Sequence, residues 1–117
     1  MLTVLVDGNN VMPALGIRRP EEVEQFLQRL ELAATEKDWE VVVVFDGPER
    51  YLRRETGPLV VRYIQGKTAD SMIERLAHQA PDRSQVAVVT QDRAEAMLVA
   101  GFGAKVWSAK RLAEELG

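Results

Sequence analysis

The chain has 117 residues, 46% of them hydrophobic and 28% charged, a balance typical of one soluble globular domain, and we expect residues 1–117 to form it. The absence of cysteine excludes disulfides and thiolate metal sites and favours the cytoplasm, while the lone His78 argues against a zinc site built on imidazole. A net charge of −3 argues against nucleic-acid binding driven by net charge alone. No apolar run reaches the ~20 residues of a membrane helix, so we expect no membrane partner.

The first half of the chain alternates strands with a helix. Residues 2–6 are almost all apolar, as in a strand covered on both faces. Pro20 starts a helix, because proline suits the first helical turn and two glutamates follow it. Residues 41–45 form a second buried strand. Leu59–Ile64 forms a third, in which Arg62 indicates partial exposure or an edge position.

The second half continues the alternation. Thr68 caps a helix, residues 85–90 form a fourth strand, and Asp92 starts another helix. Lys105–Trp107 is a short fifth strand, followed by a helix at Ala109–Leu116. This pattern predicts an α/β fold of three layers, with a mostly parallel five-stranded sheet between helices. We expect the strand order 3-2-1-4-5.

Acidic residues follow the predicted strands. Asp7 follows the first strand, Asp46 the second, and Asp92 the fourth, and Asp70 lies in the first turn of the helix after the third. Ligands of open parallel sheets bind at the carboxyl ends of the strands, so these side chains should converge. Carboxylates crowded together repel one another unless a hard cation such as Mg²⁺ or Mn²⁺ lies among them. The four aspartates therefore predict a divalent-metal site.

Each acid also has a purely structural explanation. Asp7 and Asp46 begin good turn sequences, and Asp70 suits a helix dipole. Asp92 and Glu95 have the spacing of a capping box, and capping is the favoured explanation for Asp92 alone. Glu74, four residues after Asp70 on the same helical face, is either a fifth acid of the site or a solvated side chain.

A basic segment lies between residues 48 and 67. It carries a net charge of +3, so the remainder of the chain carries −6. Such a segment can guide a polyanion locally, and ordinary solubility of a loop is the alternative. The candidates for contact with such a polyanion are Arg50, Arg53, Arg54 and Lys67.

Four motifs occur in one order along most of the chain, at residues 6–11 (VDGNNV), 43–47 (VVFDG), 68–74 (TADSMIE) and 88–92 (VVTQD). On these motifs the chain resembles the NYN branch of the PIN-like ribonucleases, and most closely the YacP-like group. Two positions depart from that group's usual pattern: Asn9 stands where an aromatic residue is common, and Gln91 where serine is common. The segment 47–59 is also short.

The resemblance implies a metal-dependent endoribonuclease that hydrolyses RNA phosphodiester bonds with Mg²⁺ or Mn²⁺. It implies that Asn10 orients a carboxylate or a phosphate and that Thr90 forms a hydrogen bond near the site. The implied partner is RNA (single-stranded, messenger, transfer or ribosome-associated), with the ribosome as a further candidate and a monomer or homodimer as the assembly. The implied catalytic residues and metal ligands are Asp7, Asp46, Asp70 and Asp92, with Glu74 as an occasional ligand.

Two other functional classes compete with a nuclease. A PIN-like module could bind RNA or a ribosomal partner without cutting, but clustered acids without a cation would hinder binding of phosphate. A phosphoacceptor receiver domain needs an aspartate after its third strand and a lysine after its fifth. The third strand here ends without an aspartate, and Lys110 lies inside the last helix, so the sequence argues against a receiver.

Overall fold

The computed structural model of the chain describes residues 1–49 and 57–117. One sheet contains five strands in the order β3-β2-β1-β4-β5, and its neighbours pair in parallel. The predicted α/β class and the predicted strand order are therefore confirmed. The strands are β1 (Leu2–Asp7), β2 (Trp39–Asp46), β3 (Leu59–Ile64), β4 (Val86–Val89) and β5 (Lys105–Trp107).

Helices cover both faces of the sheet. They are α1 (Gly8–Ala14), α2 (Pro20–Lys37), α3 (Ala69–Gln79), α4 (Arg93–Gly101) and α5 (Ala109–Leu116), and a short 3-10 turn at Arg83–Gln85 precedes β4. As predicted, α2 begins at Pro20, and the Thr68 side chain caps α3 by accepting the Ser71 backbone N–H. The structure also shows Arg62 exposed on the edge strand β3.

Helix α1 was not predicted, because the sequence Asp7-Gly8-Asn9-Asn10 is typical of a turn. The chain instead passes directly from β1 into the helix, where Val11 and Met12 are buried in the core. Gly8 makes this sharp junction possible. A Cβ at Gly8 would lie only 2.5 Å from the Phe45 ring, so the backbone lies directly against that ring.

Alternating strand residues supply two hydrophobic cores. Val4 and Val6 of β1 pack into the core beneath α1, α2 and α5, whereas Leu5 packs into the core beneath α3 and α4. Because side chains alternate along a strand, Asp7 lies on the α3–α4 face. The same alternation places Phe45 on the α1–α2 face and its neighbour Asp46 on the α3–α4 face. None of the described helices combines the length and apolar character that crossing a membrane requires.

Candidate metal centre

Four aspartates come together at the carboxyl edge of the sheet. Asp7 ends β1 and Asp46 ends the neighbouring β2. Asp70 lies in the first turn of α3, and Asp92 is the N-cap of α4. The carboxylates of the other three all raise the pKa of Asp7, so they lie close enough to repel its charge. The structure thus brings together the four aspartates that the sequence analysis selected.

Asp7 is the buried member of this group, with 7% of its surface exposed. Burial is the largest cause that raises its pKa from 3.8 to about 6, and the Asp46 and Asp70 carboxylates raise it further. The Asn10 backbone N–H donates to Asp7 and partly offsets this shift. Asp7 is therefore an anion in surroundings that disfavour negative charge, and a nearby cation would stabilise it.

Asp46 ties β2 to the neighbouring elements. Its carboxylate oxygen Oδ1 accepts the backbone N–H of Ala69 at 2.6 Å, at the start of α3. Its own backbone N–H donates to the side-chain oxygen of Asn9, also at 2.6 Å. One carboxylate oxygen of Asp46 is thus occupied in holding α3 in place.

The side chain of Asn10 joins the end of β1 to the end of β4. Its oxygen accepts the Thr90 hydroxyl at 3.3 Å and the Gln91 backbone N–H at 2.5 Å. The buried Thr90 hydroxyl in turn accepts the Asp92 backbone N–H at 3.0 Å. These bonds shape the edge of the sheet, and the binding of substrate by Asn10 or Thr90 stays a prediction.

Asp92 caps α4, as its structural explanation predicted. Its carboxylate accepts the backbone N–H groups of Ala94 at 2.9 Å and Glu95 at 3.1 Å. The prediction that the Glu95 side chain completes a capping box by accepting the Asp92 backbone N–H is wrong. The Asp92 backbone N–H donates to the Thr90 hydroxyl, so the Glu95 side chain does not cap the helix.

Glu95 is the residue that the sequence analysis missed. It is 2% exposed, and neither of its carboxylate oxygens has a hydrogen-bond partner among the described residues. The Thr90 hydroxyl donates to the Asn10 side chain at 3.3 Å, and it also lies near enough to Glu95 to lower the pKa of that carboxyl. Burial, and then the charge of Asp7, raises the pKa of Glu95 to about 8. An unpaired buried carboxylate is costly, and it therefore points to a ligand or a bound proton.

Helical spacing is the signal that could have identified Glu95. It lies four residues before Val99, which is fully buried, so both side chains lie on the inner face of α4. An ionisable side chain on the buried face of a helix is rarely found without an ion-pair, hydrogen-bond or metal partner. The capping-box spacing offered a simpler explanation and concealed this one.

Glu95 meets two acids of α3. Asp70, Glu74 and Glu95 each offer one carboxylate oxygen, and these three atoms lie within 4.8 Å of one another. Burial, and then the charge of Asp70, raises the pKa of Glu74. Oxygen donors of this kind suit Mg²⁺ and related hard cations. Glu74 therefore lies beside Asp70 and Glu95, and its part in a metal site stays a prediction.

The predicted contacts with an RNA backbone are only partly described. Arg50, Arg53 and Arg54 lie outside the described residues. Lys67 is exposed directly before the N-cap of α3, and it forms no ion pair with a described residue. Its charge is therefore available near the acidic site.

Comparison with known proteins identifies the family. The model of the YacP-like NYN domain matches residues 4–117. The chain belongs to the YacP-like NYN domain family. This YacP-like chain is also similar to the crystal structure of Rae1 (YacP) from Bacillus subtilis, with a TM-score of 0.81, 27% identity, and coverage of 99% of this chain and 74% of that chain. A tryptophan-to-leucine mutant of Rae1 gives a TM-score of 0.78 and 28% identity over 99% of this chain and 75% of that chain.

No curated protein sequence matches this YacP-like chain. Membership of the family confirms the resemblance that the four sequence motifs indicated. NYN domains are nuclease-like, which supports a nuclease-type function related to RNA. The NYN nucleases typically depend on a divalent metal, and the acids of this chain include a group that could hold one.

Proposed function

We propose that this protein is a divalent-metal-dependent endoribonuclease that hydrolyses phosphodiester bonds of RNA. The observation that carries the proposal is the buried carboxylate of Glu95, which has no hydrogen-bond partner among the described residues and lies with Asp70 and Glu74 at the carboxyl edge of the sheet. Six acids gathered at this edge would repel the phosphates of RNA unless a cation were bound among them. A nuclease explains this arrangement better than a module that only binds RNA.

The residues present fit Mg²⁺ or Mn²⁺, because the available donors are carboxylate oxygens and include those of Glu95, which have no hydrogen-bond partner in the part of the chain that the structure describes. We propose that Asp7, Asp70, Glu74 and Glu95 hold the cation directly. Asp46 and Asp92 each have one oxygen occupied by backbone N–H groups, and they would contribute their other oxygen directly or through water. When bound, the ion would activate a water molecule and stabilise charge on the scissile phosphate.

The remaining residues of the chain orient the substrate and the acids. Lys67, which is exposed directly before the N-cap of α3, would attract the RNA backbone as it approaches the acids. Asn10 and Thr90 fix the distance between the ends of β1 and β4, and so keep Asp7 and Asp92 in position. Within this proposal the protein acts in the cytoplasm, and the ribosome is a further candidate partner.

The proposal is tested by incubating end-labelled single-stranded and structured RNAs with the protein in Mn²⁺, Mg²⁺ or EDTA. Glu95→Gln and Asp70→Asn should each lower cleavage on the order of 100-fold or more, since loss of residues that only orient ligands already costs 10–100-fold. Glu36→Gln is the matched control, because Glu36 is an exposed glutamate of α2 outside the site. Circular dichroism should show all three variants folded.

Cleavage that continues in EDTA, or full activity in both site variants, would refute the metal-dependent nuclease. Tight binding of RNA without any cleavage would instead support the non-catalytic binding module.

A further inference from the structure

A pocket adjoins the acidic site on the opposite face of the sheet. Its volume is about 220 Å³, and its lining includes Gly8, Asn9 and Phe45. Gly8 and Asn9 directly follow Asp7, and Phe45 directly precedes Asp46. The pocket is therefore separated from two of the acids by the ends of β1 and β2 alone.

The walls of the pocket combine apolar and polar surface in about equal parts. They include Met12, Ile17 and Val23 together with the aromatic ring of Phe45. Pockets for whole drug-sized ligands measure roughly 300–1,000 Å³, so this one suits a single ring system. The Phe45 ring is itself buried and stacked on Tyr63, with 5.6 Å between the ring centroids, so it forms the floor of the pocket. The apolar part of the wall suits the flat face of a ring system.

Two polar groups complete the lining. The oxygen of the Asn9 side chain accepts the Asp46 backbone N–H, which leaves its Nδ2 group as a donor with no acceptor among the described residues. The Arg18 side chain is exposed, and it forms no ion pair with any residue that the structure describes. The pocket thus offers a hydrogen-bond donor and a positive charge beside its apolar wall.

We propose that this pocket binds one nucleobase of the RNA, next to the phosphate at the acidic site. The inference rests on the proposed function and names a subsite of its substrate. A nucleobase has an apolar face for the wall and acceptors at its edge for Asn9 Nδ2. The planar guanidinium of Arg18 stacks on the base or pairs with an adjacent phosphate. The RNA then crosses the sheet edge between β1 and β2.

The first test uses nuclear magnetic resonance and needs no cleavage. The chain has three isoleucines, so the methyl resonance of Ile17 in the pocket can be compared with that of Ile73, which is buried beneath α3. AMP and UMP should shift the Ile17 resonance and leave Ile73 unchanged, whereas ribose 5-phosphate, which lacks the base, should shift neither. Arg18→Ala should weaken the response to AMP, and Lys110→Ala, which removes an equal charge on α5, should not.

Equal responses to ribose 5-phosphate and AMP, or no response to any nucleotide, would overturn the proposal. So would equal effects of the Arg18 and Lys110 variants.

The second test uses an RNA with an abasic ribose placed at each position around the cleaved bond. At one position, loss of the base should lower kcat/KM about 10-fold or more, the range expected for a stacked base. Ile17→Trp fills the pocket with a ring of the protein itself, so it should abolish that dependence on the base. An unchanged dependence on the base would refute the pocket while leaving the nuclease intact. Nucleotide shifts at Ile17 in a protein that cuts no RNA would support the pocket and refute the nuclease.

Discussion

Replacing Glu95 with glutamine removes a carboxyl group whose pKa is strongly raised, and it preserves the shape of the side chain. In the folded protein the pKa of Glu95 is about 8, against an ordinary value of 4.5. The folded protein therefore keeps a proton on Glu95 at pH values at which the unfolded chain has released it. Because the folded form binds more protons, its free energy of unfolding falls as the pH rises from about 4.5 to about 8.

The size of this effect follows from the shift. One pKa unit corresponds to about 1.4 kcal/mol, so Glu95 alone should lower the free energy of unfolding by about 3 kcal/mol between roughly pH 5 and pH 7.5. Glutamine does not titrate, so Glu95→Gln should lose this part of the pH dependence. The variant should gain stability relative to the wild type as the pH rises.

Urea unfolding in EDTA across this pH range measures the difference, with Glu36→Gln as the control. Asp7, whose pKa is raised to about 6, contributes a smaller dependence in the same direction in all three proteins. Parallel pH curves for the wild type and Glu95→Gln would refute the reasoning, since they would show that Glu95 titrates as an ordinary glutamate.

Divalent metal provides the second half of this prediction. If Mn²⁺ replaces the proton on Glu95, it should stabilise the wild type more strongly as the pH rises, because metal competes with the proton for the carboxylate. Glu95→Gln should show a much smaller gain. An equal gain in both proteins would contradict the assignment of Glu95 as a metal ligand.

Three further substitutions separate structural from chemical roles. Asp46→Ala removes the acceptor of the Ala69 N–H, and urea unfolding should show a loss of about 1–2 kcal/mol; unchanged stability would show that this bond contributes nothing. Gly8→Ala forces a Cβ against the Phe45 ring and should lower stability by about 1–3 kcal/mol, visible as a reduced Tm, and a wild-type Tm would contradict this close approach. Asp92→Asn keeps an acceptor for the first turn of α4, so stability should change by less than about 0.5 kcal/mol while metal-dependent cleavage of RNA falls; unchanged cleavage would exclude a role for its charge.

Much of the fold was predictable because local signals agreed with the global arrangement. Buried parallel strands are continuous apolar runs, and the bounds Leu59–Ile64 and Lys105–Trp107 are those predicted. Strand β4 is shorter than the predicted 85–90, because Gln85 belongs to a 3-10 turn. Helix α1 was missed because glycine, two asparagines and a proline are poor helix formers, and burial of Val11 and Met12 overrode that preference.

The aspartates of the site were predictable for a different reason. The carboxyl ends of parallel strands meet at one edge, so Asp7 and Asp46 had to converge once the strand order was known. Whether the Glu95 side chain faces the site depended on the rotation of α4 about its own axis. Its spacing suited both a cap and a buried position, and only the packing of α4 against the sheet decided between them.

Asn9 and Asn10 hold three strand ends together with two adjacent side chains. Each uses its amide oxygen to accept a backbone N–H, Asn9 from Asp46 and Asn10 from Gln91. An aspartate could accept the same bonds, but it would add another negative charge beside Asp7, whose pKa the surrounding acids already raise. Asparagine provides the acceptor and remains neutral. The three strand ends can therefore stay in place while the carboxylates repel one another, so that a cation would meet a site already formed.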